Sequence, residues 1–339
     1  MLSRVAESIY WMNRYVERAD NIARFLDVSH GLALDLSAGY PEPWGALILA
    51  SGDDETFRKL HGEPTQKSVV DFLTFDKTNP GSILSCLRLA RDNARSVREV
   101  LSRECWEQTN KAYLLVADAA ARRDALDIPH AFYEAVKQAA QLFVGIAYLT
   151  MTHDEGWHFG RLGRLVERAD KTSRIVDVKY FILEEAKASP QGDLPMASRT
   201  YDEIQWAALL RCASALHMYR RKHGLVDPRK VVDFLLFERK FPRSLRYCIT
   251  KAERSLHAIT GTPLDSTATL AEESFSRLGA RFGRESVDAV LSGGLHAFVD
   301  DFQRSLNDVG SGIQETFFAL RDGDVDKMES MRPPPMSGQ

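Results

Sequence analysis

Along most of the chain, apolar residues recur at spacings of three and four, the period of an amphipathic helix. The clearest case is the start, where Val5, Ile9, Met12, Val16, Ala19, Ala23 and Leu26 fall on one stripe. Glycine and proline gather at SAGYPEP (37–43), TNPG (78–81), SPQGDLP (189–195) and RPPPMSGQ from 332. Between these clusters lie runs rich in Ala, Leu, Arg and Glu, all good helix formers. Alternation of the strand type, bounded by turns, is hard to find. The pattern predicts an all-α protein.

The same patterns occur twice. Residues 14–28, RYVERADNIARFLDV, align with residues 164–178, RLVERADKTSRIVDV, with nine identities in fifteen positions. Residues 69–92, VVDFLTFDKTNPGSILSCLRLARD, align with residues 231–254, VVDFLLFERKFPRSLRYCITKAER, with ten identities in twenty-four at an offset of 162. Trp44-Gly-Ala-Leu and Trp206-Ala-Ala-Leu share that offset. Two ordered matches predict a tandem duplication: a first helical repeat over 1–151, a second over 152–321, and a flexible tail over 322–339. The period is too long for a tetratricopeptide or armadillo array. Each half is expected to cover part of the other's apolar face in one pseudo-twofold body. Asn79-Pro80 predicts a helix start, with asparagine as cap and proline at the first helical position; Phe241-Pro242 keeps the proline without the cap.

Composition narrows the classes. At 339 residues, 44% hydrophobic and 27% charged, the chain can bury a substantial core, and wholesale disorder is excluded. Lys+Arg is 44 against Asp+Glu at 47, a balance that argues against a general binder of polyanions. The longest apolar runs, near 46–50 and 142–149, fall well short of the roughly 20 residues that span a bilayer. Charges at Arg4, Glu7, Arg14, Glu17 and Arg18 interrupt any signal-peptide core. Cys86, Cys105, Cys212 and Cys248 form no CxxC pair and read as reduced thiols of a cytoplasmic protein. Cys86 and Cys248 occupy equivalent, apolar positions, which favours burial over nucleophilic chemistry.

The candidate chemistry lies on the repeated helix. Taking Val16 as reference, Asp27 falls about 20° away, Asp20 about 40°, Arg24 about 80° and Glu17 about 100°. These charges therefore sit on the shoulder of the buried stripe, where they need partners. Asp20 and Arg24 are spaced i,i+4, and Arg24 and Asp27 i,i+3. The second copy has Glu167, Asp170, Arg174 and Asp177. One reading is a structural polar seam of Asp20, Arg24, Asp27, Asp170, Arg174 and Asp177 that fixes the register of the repeats. The other places Glu17 and Glu167, which have no local partner, in a shared cleft as acid, base or ligand anchor. An electrostatic docking face is a third.

A second constellation is LRLARDNARSVREVLSRECWEQTN (87–110), in which Arg88, Arg91, Arg95 and Arg98 form one stripe of a single predicted helix. Forked guanidinium donors in line suit a phosphate or other anion; pairing with nearby acids is the alternative. His153 and His158 are five apart and diverge on a helix, and Glu155–His158 has no counterpart pair, so no metal site is expected. GxGxxG, GxxxxGK[ST] and GxSxG are absent, and no cofactor is called for. Tyr10, Trp11, Trp157 and Phe159 read as core aromatics.

Three segments, SRVAESIYWMNRYVERADNIARFLDV, NPGSILSCLRLARDNARSVREVLSRECWEQTN and DEGWHFGRLGRLVERADKTSRIVD, resemble the Alpha-E family, bacterial all-helical proteins named for a glutamate-arginine motif. The resemblance covers nearly the whole chain. The middle segment looks like the family's AReNAR stretch, with Asp92 where glutamate is commoner. Members are typically encoded beside, or fused to, a circularly permuted ATP-grasp protein and a transglutaminase-like peptidase. The resemblance thus implies a setting in which peptide or amide bonds are made or trimmed, and it transfers no catalytic residue.

The expectation that follows is a helical partner or co-catalytic subunit of an ATP-grasp amide or peptide ligase, binding the ligase or its peptide or amino-acid substrate. The alternative is an enzyme acting on an activated acyl intermediate through Glu17, Glu167 and the stripe Arg88–Arg98, with Arg18 and Arg168 as further anion ligands. A nucleic-acid adaptor is a third reading, which the overall acidity opposes.

Overall fold

The computed structural model describes residues 1–35, 42–122, 129–188 and 197–319, with the side chains of 179–201 excepted. The predicted flexible tail and the SPQGDLP cluster lie outside the described residues. Among those described there are helices and no strands. In chain order they are α1 (Ser3–Asp35), α2 (Trp44–Ser51), α3 (Asp54–His61), α4 (Gln66–Thr74), α5 (Ile83–Ser96), α6 (Arg103–Arg122), α7 (Pro129–Thr150) and α8 (Glu155–Ala188). There follow α9 (Ala197–Cys212), α10 (Leu216–His223), α11 (Pro228–Phe237), α12 (Leu245–Thr260), α13 (Leu270–Arg284), α14 (Val287–Gly293) and α15 (Leu295–Ile313), and a π-helical turn over Gln314–Phe318 closes the described chain.

The two longest helices form the spine. Ile9, Met12, Val16, Ala19, Ala23 and Leu26 of α1 are all buried, as their spacing demands, and so are Phe159, Leu162, Val166 and Ala169 of α8. Contacts between the two pair like positions along each helix: Tyr10 meets Gly163, Glu17 meets Arg168 and Arg18 meets Glu167, so they run side by side in one direction. Gly163 is what permits the approach. A Cβ there would sit 2.4 Å from the Tyr10 carbonyl oxygen, closer than any side chain tolerates. Helices α5 and α7 pack on α1, and α12 and α15 pack on α8.

Two helix starts differ from the expectation. The cap of α5 is Ser82, whose hydroxyl accepts from the Ser85 amide at 3.2 Å, and Ser244 does the same for α12 through the Tyr247 amide at 3.1 Å. Asn79 caps no helix. Its side chain accepts from the Gly81 amide and donates to the Phe72 carbonyl, which pins the turn ahead of the helix. The serine present in both copies is thus the functional cap, and Pro80 lies outside the helix.

Candidate functional site

The Glu-Arg dipeptides Glu17-Arg18 of α1 and Glu167-Arg168 of α8 face each other across the spine and exchange partners. Arg168 donates from Nε and Nη2 to Oε1 and Oε2 of Glu17, at 2.8 and 2.7 Å. Arg18 donates from Nε and Nη2 to Oε1 and Oε2 of Glu167, at 2.6 and 3.0 Å. Each is a forked, two-point ion pair, the strongest form a carboxylate and a guanidinium can adopt. Neither glutamate is bound by the arginine next to it in sequence.

Each carboxylate holds a second arginine. Arg14 donates to Glu167 Oε2 from Nε and Nη2, at 3.0 and 2.9 Å. Glu17 Oε1 accepts instead from Arg243 Nη1 at 3.0 Å, a residue in the turn ahead of α12. Both glutamate side chains are buried, at 3% and 0% exposure. Burial alone would push their carboxyls up; Arg168 and Arg243 at Glu17, and Arg18 and Arg14 at Glu167, outweigh it and hold both well below the usual carboxylate range. A carboxylate so saturated neither gives nor takes a proton near neutral pH, so this geometry suits a clasp and not a general acid or base.

The flanking charges extend the clasp. Asp20 receives Arg24 of its own helix, together with Arg243 Nη2 at 2.7 Å. Asn21 accepts from Arg243 at 2.9 Å and donates to the Glu17 carbonyl. Around Glu167, Asp170 takes Arg174, and the buried Lys171 amine donates to the Ser51 carbonyl at 2.9 Å, tying α8 to α2. Arg24 does not reach Asp27 as the spacing suggested. Asp27 pairs with His130 and Lys137 of α7, each at 2.7 Å, and Asp177 pairs with His296 of α15 at 2.6 Å. A tertiary partner has displaced the local one.

The arginine stripe is not one helix. α5 ends at Ser96, with Val97 in a non-helical conformation at φ −129°, so Arg98 lies in the following turn. Arg91 stacks on Tyr113 and donates to Asn110 at 2.7 Å, while Arg98 lies over Trp106. Arg88 and Arg95 are exposed and have no partner among the described residues. The stripe therefore splits into two cations committed to α6 and two that are open. Tyr10 and Phe159 are core residues, but Trp11 and Trp157 are half-buried and carry Arg14 and Arg161 on their rings, at 4.8 and 5.3 Å. Cys86 and Cys248 are buried, and burial pushes both thiols up to about 12, which leaves them unreactive. Among the described residues no group of three His, Cys, Asp or Glu is placed to hold a metal ion. None of the described helices is long and apolar enough to cross a membrane.

Sequence reasoning missed Arg14, Lys171 and Arg243 as members of the centre. Arg14 had a signal, since it is identical to Arg164 in the repeat. Arg243 had none, because it aligns with Gly81. A cleft of about 460 Å³ opens beside Arg14, bordered by Trp11, Asp170, Asn307 and Glu315.

Residues 1–318 match the family described as a predicted alpha-helical domain with a conserved ER motif. The chain belongs to the Alpha-E family. It is 26% identical over 345 residues to Uncharacterized protein Rv2567 of Mycobacterium tuberculosis and to Uncharacterized protein Mb2597 of Mycobacterium bovis. Each alignment covers 94% of this chain and 37% of the mycobacterial protein, so the chain spans little more than a third of those relatives' length. No solved structure matches this Alpha-E chain.

Proposed function

We propose that the chain is the helical partner of an ATP-grasp amide or peptide ligase in the cytoplasm, and that it acts by binding the ligase or its peptide substrate. The observation that carries this over a stand-alone enzyme is the state of the two glutamates. Each is buried, ionised and filled by two guanidinium groups, which leaves no acid–base function for either. Family membership supplies the ATP-grasp setting and, with it, a transglutaminase-like peptidase as a further partner. The mycobacterial relatives, most of whose length lies outside the match, are consistent with a helical unit that works beside other domains. The test is mass spectrometry of products formed from ATP and candidate peptides by an ATP-grasp partner, with and without this chain. A product that needs both proteins supports the reading. ATP or peptide turnover by the chain alone overturns it.

We also read the chain as a tandem duplication, 1–151 and 152–321, with a pseudo-twofold relation between halves. The sequence repeat supports this, as do the reciprocal ER pairs, the matching serine caps of α5 and α12, and the matching aspartate–histidine pairs. An experimental structure in which α1 with α5 superposes on α8 with α12 supports it; one in which they follow different paths overturns it.

A further inference from the structure

Arg164 of α8 aligns with Arg14 of α1, yet the two are used differently. Arg14 spends its guanidinium on Glu167 and stacks on Trp11. Arg164 is half-buried and has no hydrogen bond or ion pair among the described residues. The cause lies in the turn before α12: Arg243 occupies the second seat on Glu17, the seat that Arg14 fills on Glu167. A desolvated cation without a partner is costly, and structures keep one where a ligand supplies the missing charge.

The neighbourhood is cationic and aromatic. One turn earlier, Arg161 is held between the Trp157 ring at 5.3 Å and the Ser255 hydroxyl at 3.4 Å. On α12, Lys251 lies over the Tyr247 ring at 5.6 Å, and Tyr247 is near enough to both Arg161 and Arg164 to act on their charges. Arg254 adds an exposed fourth cation. Of the nearby carboxylates, Glu17 is filled by Arg168 and Arg243, while Glu253 borders a separate cleft with Arg246 and Gly279, where Arg254 and His257 partly offset its burial. Burial and the nearby Arg168 lower Arg164 to about 10 against the pull of Glu17, so it still carries its charge at neutral pH.

We propose that the seam between α8 and α12 is an oxyanion-binding site in which Arg164 and Arg161 receive a phosphate or carboxylate group, with Tyr247 as a hydroxyl donor. Such a group is borne by a phosphorylated ligand or by the carboxyl end of a peptide. The site stands on the position of Arg164 and is independent of the ligase reading.

The test is calorimetric titration of the full chain with inorganic phosphate and, separately, with acetate. The intact chain should bind at least one of them saturably. The tighter of the two identifies the group, and either order supports the site. Arg164→Gln should weaken binding roughly tenfold, the loss of one charge-assisted contact, and Lys111→Gln, exposed on α6, should leave it unchanged. The unliganded melting temperature of Arg164→Gln should fall little, since no hydrogen bond or close ion pair is lost and only a longer-range attraction to Glu17 goes. If that variant does melt early, Arg161→Gln decides, because it gives up only a ring stack and a long hydroxyl contact. Undiminished binding in Arg161→Gln and Arg164→Gln, or no saturable binding of either anion by the intact chain, overturns the proposal.

Discussion

The two glutamate centres are built from the same residues and completed differently. Around Glu167 stand Arg14, Arg18, Lys171 and Arg174, and every one of these cations has a partner. Around Glu17 stand Arg164, Arg168, Arg243 and Arg24. There, among the described residues, Arg164 makes no hydrogen bond or ion pair, and Asp20 Oδ1 and Arg24 Nε are buried without a hydrogen bond. The first centre draws both of its arginines from α1. The second draws one from α8 and imports the other from a turn. A duplicated polar cluster need only keep one copy fully satisfied to hold the spine together, and the other can then release a charged group for binding. The difference reduces to two positions, Arg243 where the first copy has Gly81 and Lys171 where it has Asn21.

The largest effect is expected from the glutamates. Glu17→Gln and Glu167→Gln keep shape and remove charge, and each should cost on the order of 3 kcal/mol in denaturant unfolding because two partly buried arginines lose their buried carboxylate. The sign of the pH dependence follows. Both carboxyls are depressed in the folded state, so their contribution is full above the unfolded value of about 4.3 and is lost as pH falls through and below it. Each variant should accordingly flatten the acid limb of the stability curve. A cost confined to one glutamate breaks the likeness between the centres.

A smaller, sharper effect concerns the spare arginine. Arg164→Gln should be close to neutral in the native chain. In an Arg243→Gln background it should cost an additional ~1 kcal/mol, because Arg164 can then turn to Glu17. Additivity in that pair shows that Arg164 has no access to the carboxylate. The smallest effects belong to the former stripe. Arg91→Gln loses the Asn110 bond and the Tyr113 stack and should cost about 1 kcal/mol, whereas Arg88→Gln and Arg95→Gln should stay within about 0.5 kcal/mol by thermal unfolding.

How far the sequence could be read follows from where each interaction closes. The apolar stripe of α1 and the shoulder position of its charges are local geometry, so Ile9 through Leu26 and the burial of Glu17, Asp20 and Arg24 follow from spacing alone. The Asp20–Arg24 pair is likewise local and is present. Partners across the spine are not local. Glu17 and Arg168 lie 151 residues apart, and only the packing of α1 on α8 identifies them as a pair. The same reason explains why Asp27 goes to α7 in place of Arg24. The broken stripe is a different failure: nothing between Leu87 and Asn110 is glycine or proline, and α5 nevertheless stops at Ser96. Gly163 was legible only as a glycine in a helix; the Tyr10 carbonyl that requires it belongs to another element.

The crossed ER clasp is tested most directly by two double-mutant cycles measured by chemical denaturation, Glu17→Gln with Arg168→Gln and Glu167→Gln with Arg18→Gln. Both coupling energies should be about 2 kcal/mol or more and should agree to within about 0.5 kcal/mol, because each forked pair has a buried carboxylate and the geometries match. A coupling near zero in either cycle, with stronger coupling between neighbours in sequence such as Glu17 and Arg18, contradicts the clasp.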